Sequence, residues 1–428
     1  MNTSTTSRTI TGKISATPNP IPPSEGSNTR ISWETNDPLG AEIRVSTPEE
    51  NDKLFTRGHN GSAEVSWITD SRTYRFELYG CSRPKERLDQ VDVRRSEIAI
   101  EKILEQLIAA VSAGNLDLGQ LAKVVATLAP KCVGSARYPE FFRLWQDVGV
   151  HVTPVHFYQP IPDTRTLPES LWETPQQLVG IDMNDAAQLH LLQHVFPKFR
   201  TEYEQFSADA SKPDEFYFGN GRFDGTDALV TYSMVRHYQP QTIIEIGSGY
   251  SSLISAKAAE RNGNQPLICI EPFPLDFLRQ GFPGLRSLVE KKIEDVDLDF
   301  FAQLKDGDIL FIDSSHTVKI GGDVNYLFLQ VLPRLNPGVI VHIHDILLPF
   351  DYRRDWVMDE FRFWTEQYLL QAFLTCNSEF EVLFANSYMA HYHLAEFKES
   401  FPNSPWWGGG SFWMRRRADR STTNRMAG

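Results

Sequence analysis

The chain has 428 residues, 41% of them hydrophobic, enough for two or three domains with buried cores. Its formal net charge is −13, which argues against a nucleic-acid partner, since a phosphate backbone calls for basic patches. The four cysteines, Cys81, Cys132, Cys269 and Cys376, are scattered with no C-x-x-C pair, so neither a zinc site nor a disulfide framework is signalled.

The opening "MNTSTTSRTITGK" lacks an apolar signal core, and no apolar run approaches the roughly 18 residues that span a bilayer. The expectation is a reducing, cytoplasmic setting with no membrane partner. From residue 8 to 84 short alternating segments follow one another: "TITGKISAT", "TRISWET", "AEIRVST", "KLFTR", "SAEVSWI" and "TYRFELYG". Turn-rich pieces such as "NDPLG" and "GHNG" separate them. Period-2 segments at regular spacing predict a β-sandwich or small barrel, and the stretch resembles an immunoglobulin- or fibronectin-like module. It gathers no cluster of catalytic residue types, so packing, homo-oligomer formation or ligand presentation is its expected role.

"CSRPKERLDQVDVRRS" reads as a charged connector. A helical linker and lid region is expected over 95–214. In "EIAIEKILEQLIAAVSAG" the residues Ile98, Ile100, Ile103, Leu104 and Leu107 lie near helical spacing. "LGQLAKVVATLAP" and "EFFRLWQDVGV" continue the helical reading. A proline-punctuated stretch, "HFYQPIPDTRTLPESLWE", follows as a candidate lid. Then come a predicted helix, "NDAAQLHLLQHVFPKFRTEY", and a glycine-aromatic loop, "FYFGNGRFDGTDA". Phe218, Asn220 and Asp224 of that loop are candidate ligand contacts.

Over 215–417 strands and helices alternate. The strands are "TIIEIG", "PLICIE", "DILFIDSS" and "GVIVHIHD"; a long predicted helix, "WVMDEFRFWTEQYLLQAFL", and strands "FEVLFAN" and "GSFWMRR" close the domain. Nearly continuous apolar strands with intervening helices mean a parallel, doubly wound, Rossmann-like α/β sheet. Arg415, Arg416 and Arg417 end the last strand and lead into a flexible tail over 418–428. Ligands of such sheets sit outside the carboxyl ends of the strands, so the chemistry is expected there.

The first of those ends reads "IIEIGSGYSS" (243–252). Gly247 and Gly249 permit a tight turn and close backbone approach to a ligand. The helix that follows presents free N–H groups near Ser251 and Ser252. A dinucleotide fingerprint asks for a third glycine where Ser252 stands, and Glu245 would sit poorly beside a pyrophosphate but well beside a cationic ligand. E-x-G-x-G-x-S here resembles the first motif of the class I S-adenosylmethionine-dependent methyltransferases. The resemblance continues along the chain. Glu271 ends the next strand, where that family places an acid on the ribose. Glu294 and Asp295 in "KIEDV" fall at the adenine position. Asp313 and Ser314 in "DILFIDSSH" match the fourth motif, and the last two strands match the closing antiparallel hairpin. The resemblance covers about 215–417 and implies S-adenosyl-L-methionine as cofactor, with Glu245, Gly247, Gly249, Ser251, Glu271, Glu294, Asp295, Asp313 and Ser314 around it.

"HIHDI" ends the strand after Asp313. Asp313, His344 and Asp345 form a candidate divalent-metal site there. The macrolide-sugar O-methyltransferase subset looks similar, with Asp-x-x-His on one strand and an acidic pair on the next. By that resemblance Asp313 and Asp345 hold magnesium and His316 is the base toward a sugar hydroxyl. His344 stands where the subset has an acid, and imidazole suits manganese, iron or zinc better than magnesium. Other readings stand beside these. His316 could be a capping histidine, and Asp313 could orient the methionine end of the cofactor. His342 reads as buried and hydrogen-bonded, and His391 and His393 as loop or lid residues. The tryptophans of "SPWWGGGSFW" suit either an aromatic wall or strand packing. The expected function is O-methylation of a sugar hydroxyl on a glycosylated small molecule or glycan. A metal-free N-methyltransferase and a non-catalytic cofactor-binding scaffold are the alternatives.

Overall fold

The computed structural model describes residues 9–23, 26–50, 52–96, 100–210, 212–264 and 267–418. The chain divides into two units, Met1–Val152 and Thr153–Gly428. Ile98 and residues 419–428, on which sequence expectations fall, lie outside the described residues.

The first unit opens with seven strands: β1 (Gly12–Thr17), β2 (Thr29–Thr35), β3 (Ala41–Ser46), β4 (Lys53–Gly58), β5 (Asn60–Val65), β6 (Tyr74–Gly80) and β7 (Arg83–Val93). They form two antiparallel sheets, of order β1-β2-β5 and β4-β3-β6-β7. Alternation decides which side chains meet between them. In β2 Ile31 and Trp33 point inward while Arg30 and Glu34 point out. In β6 Phe76 and Leu78 point inward around Glu77. These four join Ile14 and Ile43 in one core.

The stretch read as a charged connector is strand β7, so the β-rich region runs past residue 84 to Val93. Its charges deceive because it is an edge strand, where charge is favoured. Cross-strand ion pairs use them: Arg87 with Glu77 at 2.5 Å and Asp92 with Arg75 at 2.8 Å. Helices α1 (Ile100–Ser112), α2 (Leu118–Val133) and α3 (Tyr138–Asp147) complete the unit. Asp117 caps α2 by accepting from Gln120 N at 2.7 Å.

The second unit is built on β8 (Ile243–Ile246), β9 (Leu267–Ile270), β10 (Leu285–Val289), β11 (Ile309–Ile312), β12 (Ile340–Ile343), β13 (Phe380–Ala385) and β14 (Phe412–Arg416). Their order is β10-β9-β8-β11-β12-β14-β13. The sheet is parallel from β10 to β12, and its last two strands pair antiparallel as expected, with β14 also antiparallel to β12. Strand β10 is absent from the sequence reading because it lies at the edge and is only partly buried, so its apolar signal is weak. One face of the sheet packs against α4 (Gly225–Tyr238) and α5 (Tyr250–Arg261). The other packs against the helical stretch 323–334 and α6 (Glu366–Leu374).

The segment 185–203 is helical as its pattern suggests, and it is buried on the sheet face covered by α4 and α5 through Leu191, Leu192, Val195 and Phe196. It widens at Leu191–Val195 and tightens at Phe196–Phe199 around Pro197, whose missing N–H interrupts regular helix bonding. Pro333 does the same to 323–334. The long helix expected over 356–374 is broken. It starts as Arg354–Met358 and resumes only as α6, with Phe361 at φ 56° between them. "MAHYHL", read as loop, lies in two short helices, Asn386–Tyr392 and Leu394–Ser400. Among the described residues no helix is long and apolar enough to cross a membrane.

Candidate active site

Register sets the site. Ile246 pairs with Ile270 on one side and Ile312 on the other, and Ile312 pairs with Ile343. The next residues, Gly247, Glu271, Asp313 and His344, therefore line up along one carboxyl edge of the sheet. Gly247 has φ 76°, and a Cβ there would lie 1.8 Å from the Asp313 carbonyl oxygen, so no other residue fits. Gly249 is extended at φ −174°, and a Cβ there would meet nothing within 4 Å. The space over the turn is open, and the start of α5 faces it. Ser252 closes the turn: its Oγ accepts from Gly249 N and its N donates to Gly249 O, both at 3.1 Å. Ser248 N and Phe273 N donate to the Glu271 carboxylate at 3.2 and 2.8 Å.

A cleft of about 430 Å³ opens here, lined by Gly247, Glu271, Glu294, Asp313 and Ser314, with Phe273, Lys292, Lys319 and Asp323 beside them. Of the residues expected at the cofactor, Glu245, Gly249, Ser251 and Asp295 do not line this cleft. Asp295 is exposed. Ser251 is buried and donates to Glu245 Oε1 at 2.5 Å. Glu245 itself lies buried beneath the turn, its Oε2 without a hydrogen-bond partner. Asn220 and Asp224 spend their side chains inside their own loop. Asn220 bonds Tyr217, Arg222 and Phe223, and Asp224 accepts from Gly219 N and Gly225 N.

At one end of the cleft Asp313 meets a second cluster. His316 (φ 56°) and Asp345 (φ 55°) both take the left-handed conformation, uncommon outside glycine and found where local structure demands it. His316 Nε2 lies 3.3 Å from Asp313 Oδ1 and 3.5 Å from Asp345 Oδ2. Single donor atoms of Asp313, His316 and Asp345 all fall within 4.8 Å of one another. His344 lies against the same carboxylates, its Nδ1 3.4 Å from Asp313 and 3.7 Å from Asp345, while its Nε2 turns toward Asp227 at 3.6 Å. Asp227 is fixed by Gly410 N, Ser411 N and Asn386 Nδ2 at 3.1, 2.8 and 2.9 Å. A Cβ on Gly409 would lie 2.3 Å from the Asp227 carboxylate, and one on Gly410 would lie 2.6 Å from Asp345 Cα. The glycine run in "SPWWGGGSFW" is thus the cradle of two carboxylates. His342 is buried, stacked on Phe311 at 3.8 Å and bonded to Ser411 Oγ at 3.0 Å. His391 is exposed and packs on Phe350.

Residues 244–346 match the family described as Methyltransferase domain. A protein of Archaeoglobus fulgidus described as uncharacterized is 34% identical over 175 residues, covering 38% of this chain and 77% of that relative. The chain belongs to the class I S-adenosylmethionine-dependent methyltransferases. The matched span begins at the glycine turn's strand and ends just past Asp345, so it contains the cleft floor and most of the acid–histidine cluster.

S-Adenosylmethionine is therefore the cofactor of this methyltransferase, and the cleft suits it. The open space above Gly249 leaves room for the ligand, and the buried Glu245 Oε2 and Ser314 Oγ have no protein partner. Burial raises Glu245 to about 8, because a carboxylate without solvent favours its neutral form. Around the second cluster the balance is different. Burial alone would raise Asp313, but His344 and His316 hold it well below the carboxylate range. Burial alone would lower His316, but its bonds to Asp313 and Glu366 raise it to about 10. Burial would lower His344 too, and Asp345 and Asp313 lift it well above the usual range. Burial pushes His342 well down.

Three residues of this methyltransferase site escape a sequence reading: Asp227, Trp364 and Glu366. Trp364 packs its ring 4.5 Å from that of His316. The only sequence signals for them were "DGTDA" ahead of a helix and "WTE" inside a predicted one.

Proposed function

We propose that the enzyme methylates a sugar hydroxyl on a glycosylated small molecule or glycan, with His316 as general base and a divalent cation assisting. The observation that carries this reading is the convergence of Asp313, His316 and Asp345 at the end of the cofactor cleft, with Asp313 belonging to both. A sugar hydroxyl is a weak nucleophile at neutral pH and needs its proton removed as the methyl group transfers.

Asp313 and Asp345 would hold the cation, with His344 as a nitrogen donor; a mixed oxygen–nitrogen set suits manganese, iron or zinc as well as magnesium. When bound, such a cation supplies positive charge that acidifies a hydroxyl and opposes protonation of His316. The chain's own residues do the rest. The turn at Gly247–Gly249 seats the cofactor, Glu271 and Glu294 line its nucleoside end, and His316 Nε2 takes the hydroxyl proton. Alignment of oxygen and sulfonium methyl is the main further requirement. For the first unit, the two sheet orders, 1-2-5 and 4-3-6-7, support the immunoglobulin-like reading.

Turnover on glycosylated acceptors tests the proposal. His316→Ala is expected to lower kcat by about 10²–10⁴-fold, the usual range for a general base. Cofactor affinity by calorimetry should stay within a few-fold. A chelator should suppress turnover and manganese or magnesium restore it. Retained turnover in His316→Ala removes the base, and indifference to chelator removes the cation.

A further inference from the structure

Glu366 opens α6 and is fully buried. Its Oε2 lies 2.9 Å from His316 Nδ1, and its Oε1 has no hydrogen-bond partner. The backbone around it grips the same histidine. Thr365 N and Glu366 N both donate to the His316 carbonyl, at 2.9 and 3.0 Å, and Val318 N donates to Thr365 Oγ1 at 2.7 Å. Trp364 covers the ring from the side. The break before α6 is what delivers these three consecutive residues to His316.

We propose that Glu366 is a positioning residue: it accepts the Nδ1 proton of His316 and so fixes the ring with Nε2 turned toward Asp313 and Asp345. A histidine that donates one ring N–H to a carboxylate has its tautomer and plane set, and its other nitrogen made more basic. Here that other nitrogen is the one 3.3 and 3.5 Å from the two acids. A carboxylate serving only to hold α6 in place would have no need of the imidazole as its side-chain partner. The catalytic consequence rests on His316 as the base proposed above; the hydrogen bond itself does not.

Proton NMR of the whole protein, with ¹⁵N-labelled histidine, tests the bond without any acceptor. The wild type should show a slowly exchanging, downfield imidazole Nδ1–H. It should vanish in His316→Ala and in Glu366→Met, and persist in Glu366→Gln, whose amide oxygen still accepts. Glu366→Asp, a milder change that keeps the charge but withdraws the oxygen, should also lose it. With an acceptor in hand, Glu366→Met and Glu366→Asp should lower kcat by about 10²-fold, at the low end for base catalysis, with KM for S-adenosylmethionine unchanged. Glu366→Gln should recover most of that loss. A signal that persists in Glu366→Asp, or wild-type kcat in that variant, overturns the inference. Failure to find a sugar acceptor would leave the NMR result readable and count only against the proposed function.

Discussion

Glu245 and Gly247 sit two residues apart and do opposite things. Gly247 is required by geometry: φ is 76° and a methyl group would strike the Asp313 carbonyl. Gly247→Ala is expected to push β8 and β11 apart at the site and weaken S-adenosylmethionine binding at least tenfold by calorimetry; unchanged affinity would show that the turn relaxes freely. Glu245 is set apart by its ionisation. In the unfolded chain it titrates near 4.5 and in the folded protein near 8. Between those values the folded state keeps a proton the unfolded state has lost, so stability falls as pH rises through that window. The Tm of ligand-free protein should therefore drop less steeply between about pH 5 and 8 in Glu245→Gln than in wild type; parallel curves would contradict a buried neutral carboxyl. Gly247, Glu271 and Asp313 were legible in the sequence because each follows an apolar strand at fixed spacing. Glu366 was not, because its partner His316 lies 50 residues away, and nothing local marks a contact of that range.

At the scale of elements, the buried parallel strands were plain from their apolar runs, and two of the edge strands were not. Strand β7 hides behind charges that pair across the sheet, and β10 behind partial exposure. The helix over 356–374 misled for a different reason. Its apolar residues keep helical spacing, but the chain breaks at 359–365 to reach His316, so tertiary contacts override local preference. The sheet's other end is held by Asp308, buried at the start of β11, which accepts from Gln241 N, Thr242 N and Lys305 N at 2.9, 2.8 and 2.8 Å. Asp308→Ala leaves those amides without that acceptor and should cost about 3 kcal/mol in urea unfolding, in the range for hydrogen bonds to a charged group. A loss below about 1 kcal/mol would mean that water replaces the carboxylate.

For the whole molecule, every residue lining the cofactor cleft falls between Ile246 and Asp323, inside the second unit. A fragment spanning 153–428 should accordingly fold and bind S-adenosylmethionine with affinity within a few-fold of the full chain. A much larger loss would show that the first unit shapes the cleft. The order of the seven-stranded sheet was only partly readable, since sequence alternation fixes the class of a sheet but not the place of its antiparallel strand. The acceptor was not readable at all, because a strand pattern does not report what the strand ends bind.

The most direct measurement follows a ¹³C-labelled methyl group from S-adenosylmethionine onto glycosylated acceptors by NMR. Label on a sugar oxygen with the wild type, lost with His316→Ala while the cofactor still binds, is the predicted result. Label on nitrogen, or equal labelling by His316→Ala, would contradict transfer to a hydroxyl at the Asp313–His316–Asp345 cluster.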